Sequence, residues 1–207
     1  MTSHPPPPSH APAASPEPLG RRERKKAATR QALADAALRL FLEHGYDKVG
    51  IRDVAEAADV STTTLFKHFS GKEALVFDRD EDQEQALVSA VRDRPDGVTI
   101  LRALREHARG ARDFDPTDDG AVRFRELIDG TKALREYAER MWLRHRTALA
   151  RAIAEDIGAP EGDPACEALA AFALQAVRLG DGAEAVDAAF DILERGWDPG
   201  VAGAQRG

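Results

Sequence analysis

Apolar residues recur at three- and four-residue spacing along most of this chain, and no stretch of useful length alternates with the two-residue period of a half-buried strand. Leu33, Ala37, Leu40 and Phe41 mark one face of a helix over 24–44, with Gly45 as its stop. Two shorter helical faces follow. Ile51, Val54, Ala55 and Ala58 make the first; Leu65, Phe66 and Phe69 make the second, with Asp59 in the turn between them and Ser61 placed to cap the second. The distance from Ile51 to Phe69 leaves room for two short helices and a tight corner, a helix-turn-helix arrangement. Ser70, with Glu73 three positions on, predicts a capping box opening a further helix that carries Leu75, Val76 and Phe77.

Beyond Asp78 the period stays helical, with helices expected over 81–92, 100–111, 120–127, 131–157, 166–180 and 183–195. Pro95-Asp96-Gly97, Asp115-Pro116, the stretch 158–164 and Gly180-Asp181-Gly182 break them. The fold class is therefore all-α: an amino-terminal three-helix unit over 21–78 and a carboxy-terminal helical bundle over 79–198. Residues 1–20 are a Pro, Ser, Ala and His tract with no periodic apolar face to offset the entropy of ordering, and 199–207 form a second expected tail.

Composition narrows the function classes. The chain carries 29 Lys and Arg against 36 Asp and Glu, a formal net charge of −7, which argues against indiscriminate coating of nucleic acid. That average hides a basic cluster of Arg21, Arg22, Arg24, Lys25, Lys26 and Arg30, interrupted only by Glu23; by itself it reads equally as an arm that solubilises a helix start, and its place just before the helix-turn-helix pattern favours phosphate contact. One cysteine, Cys166, cannot form an internal bridge and suits a reducing cytoplasm. Residues 1–20 do not read as a secretory leader, and no apolar run of bilayer-spanning length is expected to form a membrane helix. A cytoplasmic protein without a membrane partner is expected.

The segment 38–75, LRLFLEHGYDKVGIRDVAEAADVSTTTLFKHFSGKEAL, resembles the DNA-binding domain of TetR-family regulators over nearly its whole length. Phe41 and Gly45 match the close of that family's first helix, Val54 and Ala55 its second, and Val60 the entry to its third. Leu65, Phe66, His68 and Phe69 match the aromatic end of the recognition helix, and Lys72, Glu73 and Leu75 the opening of the fourth. Four positions depart from the pattern. Gly50 stands where a capping Thr is usual, which predicts a weaker cap, and Asp59 replaces a turn glycine, as Asp can because it tolerates left-handed backbone. Phe66 replaces a Tyr and loses any phosphate contact of that hydroxyl; Thr63 replaces a smaller residue.

The resemblance implies a repressor that binds double-stranded operator DNA, with the recognition helix over 61–68. Thr62, Thr63 and Lys67 become base-edge candidates, since hydroxyls and the Thr methyl suit acceptor, donor and thymine-methyl positions. Ser61 and His68 suit phosphate or capping roles, Thr64 backbone contact or packing, and Lys72, Arg52 and Arg30 phosphate, each being otherwise a solvated surface cation. Leu40, Phe41, Val54, Ala55, Leu65 and Phe69 are expected core.

Family members act as homodimers, and the last two helices offer the best dimer surface: Leu169, Phe172, Ala173 and Val177 in one, Val186, Ala189, Phe190 and Leu193 in the other, or else an internal core of one subunit. The resemblance also implies a small-molecule effector. Leu104, Phe114, Phe124, Leu127, Ile128, Tyr137, Met141 and Trp142 are candidate pocket walls, with His145 as a polar contact; ordinary core packing is the competing use of each. The run from Phe124 to Leu174 resembles the second domain of TetR regulators related to the mycofactocin regulator, some of which recognise acyl-coenzyme A, so an acyl thioester or another hydrophobic ligand is implied.

An enzyme fits poorly, since the sequence has no G-x-S-x-G elbow, Walker loop or dinucleotide loop, and its histidines show no H-E-x-x-H pair. Nothing calls for a cofactor or a metal. The remaining alternative is an adaptor that keeps the helix-turn-helix fold but has lost specific DNA binding.

Overall fold

The computed structural model describes residues 20–110, 119–179 and 182–196. Among them the elements are α1 (Arg21–His44), α2 (Ile51–Ala57), α3 (Thr62–His68), α4 (Asp80–Arg92), α5 (Ile100–Gly110), α6 (Asp119–Gly130), α7 (Lys132–Ile157), α8 (Pro164–Leu179) and α9 (Ala183–Arg195). Short 3-10 turns occupy Tyr46–Lys48 and Glu73–Leu75, and no strand occurs among the described residues. Phe114 lies outside the described residues, as do the two expected tails apart from Gly20.

Local chemistry accounts for the helix ends. Gly158 closes α7 at φ 70°, a left-handed conformation cheap for glycine. Pro164 opens α8, where its missing N–H costs nothing, and Asp163 Oδ1 accepts the next two free N–H groups, from Ala165 at 2.9 Å and Cys166 at 3.1 Å. One expected element is not formed. The helix predicted from Ser70 and Glu73 is only the 3-10 turn Glu73–Leu75, and regular helix resumes at Asp80. The Glu73 carboxylate accepts the Tyr46 hydroxyl at 2.9 Å instead of reaching back to a cap.

Two apolar cores result. The carboxy-terminal one joins α4, α5, α7, α8 and α9 through Leu87, Val91, Leu104, Leu149, Ile153, Val186 and Phe190 among others. The amino-terminal one gathers Leu33, Ala37, Phe41, Val54, Leu65, Phe69 and Leu75, together with Leu134 from the start of α7. Phe124, Leu127, Ile128, Ala133 and Tyr137 pack onto this second core. Covalent order and packing order therefore differ: α6 and the first turns of α7 belong physically to the amino-terminal unit.

A buried polar joint ties α4 to α7. Asp80, in the first turn of α4, accepts the His145 Nε2–H at 2.7 Å and a second bond from Arg144. Both Asp80 and His145 are buried. Phe77 stacks on Tyr137 beside them, with centroids 5.1 Å apart and planes 12° off parallel. The joint thus fastens α4, which follows the helix-turn-helix in the chain, to the middle of α7.

Candidate nucleic-acid interface

The α2–α3 corner is built by a Schellman-type closure. Val60 N–H bonds to Ala55 O at 2.9 Å and Asp59 N–H to Glu56 O at 3.0 Å, which requires left-handed backbone at residue 59. Asp59 supplies it at φ 53°, the sole positive φ of a non-glycine residue among those described. The α2 cap is half made: Asp53 Oδ2 accepts the Gly50 N–H at 2.7 Å, while glycine has no side chain to return the bond. Ser61 caps α3 fully as expected, its Oγ accepting the Thr64 N–H at 3.1 Å.

This corner fixes which face of α3 is presented. Leu65 and Phe69 are buried against α1 and α2. Thr63, Phe66 and Lys67 are exposed on the other side, and Thr62, Thr64 and His68 are half-exposed at its edges. Thr64 Oγ1 pairs with Ser61 Oγ at 2.9 Å, so its hydroxyl serves the cap. Phe66, 57 % exposed, presents an apolar ring with no counterpart in the protein core. An α-helix offering hydroxyls, a methyl-bearing edge and a cation from one rigid face has the size and chemistry to read a major groove.

Two expected phosphate ligands are used inside the domain. Arg30 donates to His68 O at 2.6 Å and to Asp78 O at 2.7 Å, and its guanidinium lies 4.4 Å from the centre of the Phe69 ring. It ties the end of α3 and the approach to α4 onto α1, and its guanidinium is a clamp before it is a surface charge. Lys72 donates to Tyr46 O at 2.5 Å and sits 3.9 Å from the Tyr46 ring centre, and burial holds its ammonium below the usual lysine range. Arg52 is exposed in the first turn of α2 and takes part in no ion pair among the described residues. Burial, reinforced by Arg30 and then Lys26, keeps the His68 imidazole below the usual histidine range.

The expected effector walls are dispersed. Leu104 is core of the carboxy-terminal bundle, and Trp142 packs onto that bundle. Phe124, Leu127, Ile128 and Tyr137 seal α6 and α7 to the amino-terminal core. Met141 is buried, and His145 is committed to Asp80. A hollow of about 390 Å³ is lined by Arg151, Ala154, Glu155, Ala159 and Glu161, and one of about 330 Å³ by Asp35, Leu38, Arg39, Leu42, Glu43 and Arg123; neither touches a candidate wall.

The dimer candidates divide. Ala173, Val186 and Phe190 are buried within the bundle of one chain, and Leu169, Val177, Ala189 and Leu193 lean against it. Of the expected set only Phe172, 58 % exposed, faces fully outward; Ile192 of α9, at 44 %, joins it. The polar joint at Asp80 escaped sequence reading. Its signal was the four-residue stripe Met141, His145, Leu149, which places a histidine on a buried face where it needs a partner.

Comparison with known proteins agrees with this geometry. The family model described as bacterial regulatory proteins, tetR family, matches residues 33–78. The regulator TcmR of Streptomyces glaucescens is 36% identical over 85 residues, 41% of this chain but only 38% of that protein. MftR of Mycobacterium tuberculosis, named as a mycofactocin biosynthesis transcriptional regulator, is 29% identical over 189 residues, 84% of this chain and 94% of its own. Shorter matches of 79, 54 and 51 residues are to proteins named as transcriptional repressors. The fold is also that of FadR from Bacillus subtilis in its complex with stearoyl-CoA, at 17% identity and a TM-score of 0.51 over 81% of this chain and 99% of that one. Among the described residues no group of three or more His, Cys, Asp or Glu is disposed to hold a metal, and no helix is long and apolar enough to cross a membrane. Residues 33–78 thus form a tetR-type DNA-binding domain, and along nearly its full length the chain is similar to a transcriptional regulator.

Proposed function

We propose that this regulator is a cytoplasmic repressor that works as a homodimer, reads a palindromic operator with one α3 from each protomer, and releases it when a small hydrophobic or amphipathic effector binds. The observation that carries the reading is the division of α3: Leu65 and Phe69 anchor its underside, while Thr62, Thr63, Phe66 and Lys67 stand on the side away from the core. Thr62, Thr63 and Lys67 read base edges in this account, Arg52 holds a phosphate, and Ser61 orients the helix.

One α3 contacts too few phosphates for strong selective binding, so two copies are needed, and the outward Phe172 and Ile192 are the natural apolar surface for joining α8 and α9 to their copies. Repressor names among the relatives favour repression over activation. A fatty acyl thioester is the effector proposed first, on the likeness to MftR and to a fold that holds stearoyl-CoA in FadR. It acts by binding the conformer unsuited to the operator better than the DNA-bound one; a 100-fold preference moves the equilibrium by about 2.7 kcal/mol. The test is selection of duplex fragments by the purified chain, then titration of the recovered complex with stearoyl-CoA, free stearate and coenzyme A. Release by the thioester alone supports the acyl-thioester reading; a complex indifferent to all three removes it.

A further inference from the structure

Between residues 140 and 154, α7 carries Arg140, Arg144, Arg146 and Arg151 and no carboxylate; between 168 and 178, α8 carries Arg178 and no carboxylate. In a chain of net charge −7, these lengths of the two helices hold charge of one sign. Three of the guanidiniums are engaged. Arg144 bonds to Asp80, Arg151 pairs with Glu161 at 3.8 Å, and Arg140 lies over the Tyr137 ring, 5.9 Å from its centre. The other two flank Trp142. Arg178 lies over the indole, 5.5 Å from its centre, and Arg146 follows Trp142 by one turn on the same side of α7. The Nε of Arg146 is shut off from solvent and has no hydrogen-bond partner. Neither Arg146 nor Arg178 takes part in an ion pair among the described residues. A sequestered donor on a charged group is costly to leave unpaired, so it calls for an acceptor that these stretches of α7 and α8 do not supply. Trp142 itself is held edge-on to His145, 5.6 Å between ring centres, and Asp80 fixes that imidazole.

We infer that Arg146 and Arg178 form an anion site beside Trp142, at the seam of α7 and α8, that takes the phosphate groups of a ligand. Two guanidinium forks donate charge-assisted bonds to phosphoryl oxygens, the unpaired Nε of Arg146 among them, and the indole gives the body of the ligand an apolar wall. A phosphate dianion matches two cations with no acid between them, whereas a single carboxylate leaves one charge over. The inference rests on the effector reading above only for the source of the phosphate: the coenzyme A head of an acyl thioester is one, free pyrophosphate another.

Trp142 supplies the readout. The chain has two tryptophans, so in a W197F background Trp142 is the sole indole, and its emission is followed while the full chain is titrated with coenzyme A, pyrophosphate or stearate. Coenzyme A and pyrophosphate are expected to bind below about 1 mM and to change that emission. Each charge-assisted bond lost weakens binding roughly tenfold, so R146Q/R178Q is expected to weaken both phosphate ligands about 100-fold. R178Q alone, at an exposed position, is expected to cost about tenfold and keeps the test open if the double variant does not fold. R140Q/R151Q removes the same charge from α7 at other positions and is expected to cost less than about threefold. Coenzyme A bound more tightly than pyrophosphate identifies the coenzyme head as the source; equal affinities identify phosphate alone. No binding of either phosphate ligand at about 1 mM overturns the inference, as do equal losses in the two double variants. Stearate bound through the two arginines in place of the phosphates overturns it too. A dimer that R146Q/R178Q splits in sedimentation, with ligand affinity unchanged, gives the arginines to the subunit contact instead. Titrating the DNA complex separates this site from the effector reading: release by stearoyl-CoA undiminished in R146Q/R178Q sinks the site alone, and binding of stearoyl-CoA at the arginines without release sinks the effector reading alone.

Discussion

Replacing Arg30 by alanine separates a clamp from a phosphate ligand. In the fold its guanidinium holds the carbonyls of His68 and Asp78 at 2.6 and 2.7 Å and lies on the Phe69 ring. A hydrogen bond from a charged donor contributes about 1.5–3 kcal/mol and a partly exposed cation–π contact about 0.5–1. The site is half-buried, so the two carbonyls regain some water in the variant and the low end of each range applies. The expected loss is roughly 3 kcal/mol, which in a chain of this size lowers the melting temperature by about 6–12 °C. R30K keeps the charge but offers one ammonium where a planar fork spans two carbonyls, and is expected to recover less than half of the loss. The assay is urea or thermal unfolding of R30A and R30K, paired with the salt slope of DNA binding measured below the variants' melting range. A clamp at this position predicts lost stability with an unchanged slope. Full stability with a slope reduced by about 0.9 per bound protomer refutes it and returns Arg30 to the phosphates.

Other expectations follow from the same geometry. D59G relieves a left-handed residue at φ 53° and is expected to stabilise the chain by about 0.5–1 kcal/mol in urea unfolding, with operator selectivity kept; destabilisation contradicts the assignment of that corner. F172E is expected to convert a dimer to a monomer by sedimentation at little cost to the protomer, whereas F190A, in the core, costs about 3–5 kcal/mol; a dimer unaffected by F172E removes α8 from the interface. Burial holds His107 below the ordinary histidine value of 6.5, so in the folded chain it resists a proton that the unfolded chain takes up. Its contribution is complete above 6.5 and is lost as pH falls from there through its folded value. H107Q is therefore expected to lose less stability than the unmodified chain between about pH 7.5 and pH 5.5, and equal losses contradict it.

Periodicity and punctuation made the helices legible. Ser61, Asp59, Gly158 and the repeat of apolar positions act within a few residues of themselves, so the pattern carries their consequences directly. Failures arose where a side chain has a distant partner. Glu73 resembles a capping-box acid, yet Tyr46, far upstream, takes its carboxylate. Arg30 and Lys72 look like free cations until the fold brings His68, Asp78 and Tyr46 against them. The apolar and aromatic residues of α6 and early α7 suggest a pocket because they concentrate on central helices, with core packing as the competing use; the fold packs Phe124, Leu127, Ile128 and Tyr137 onto the amino-terminal core. The division of the last two helices into Phe190 inward and Phe172 outward is likewise a fact of burial that periodicity alone leaves open.

The central claim is that α3 gives this chain selective DNA binding. Genome-fragment selection with the purified protein, followed by binding of the recovered duplex by T63A and K67A, tests it most directly. The account predicts one palindromic or near-palindromic site bound by a dimer, with each substitution weakening that site by about 1–3 kcal/mol while binding to unrelated duplex changes far less. A folded dimer that recovers no preferred sequence contradicts the account and makes the chain an adaptor built on the same fold.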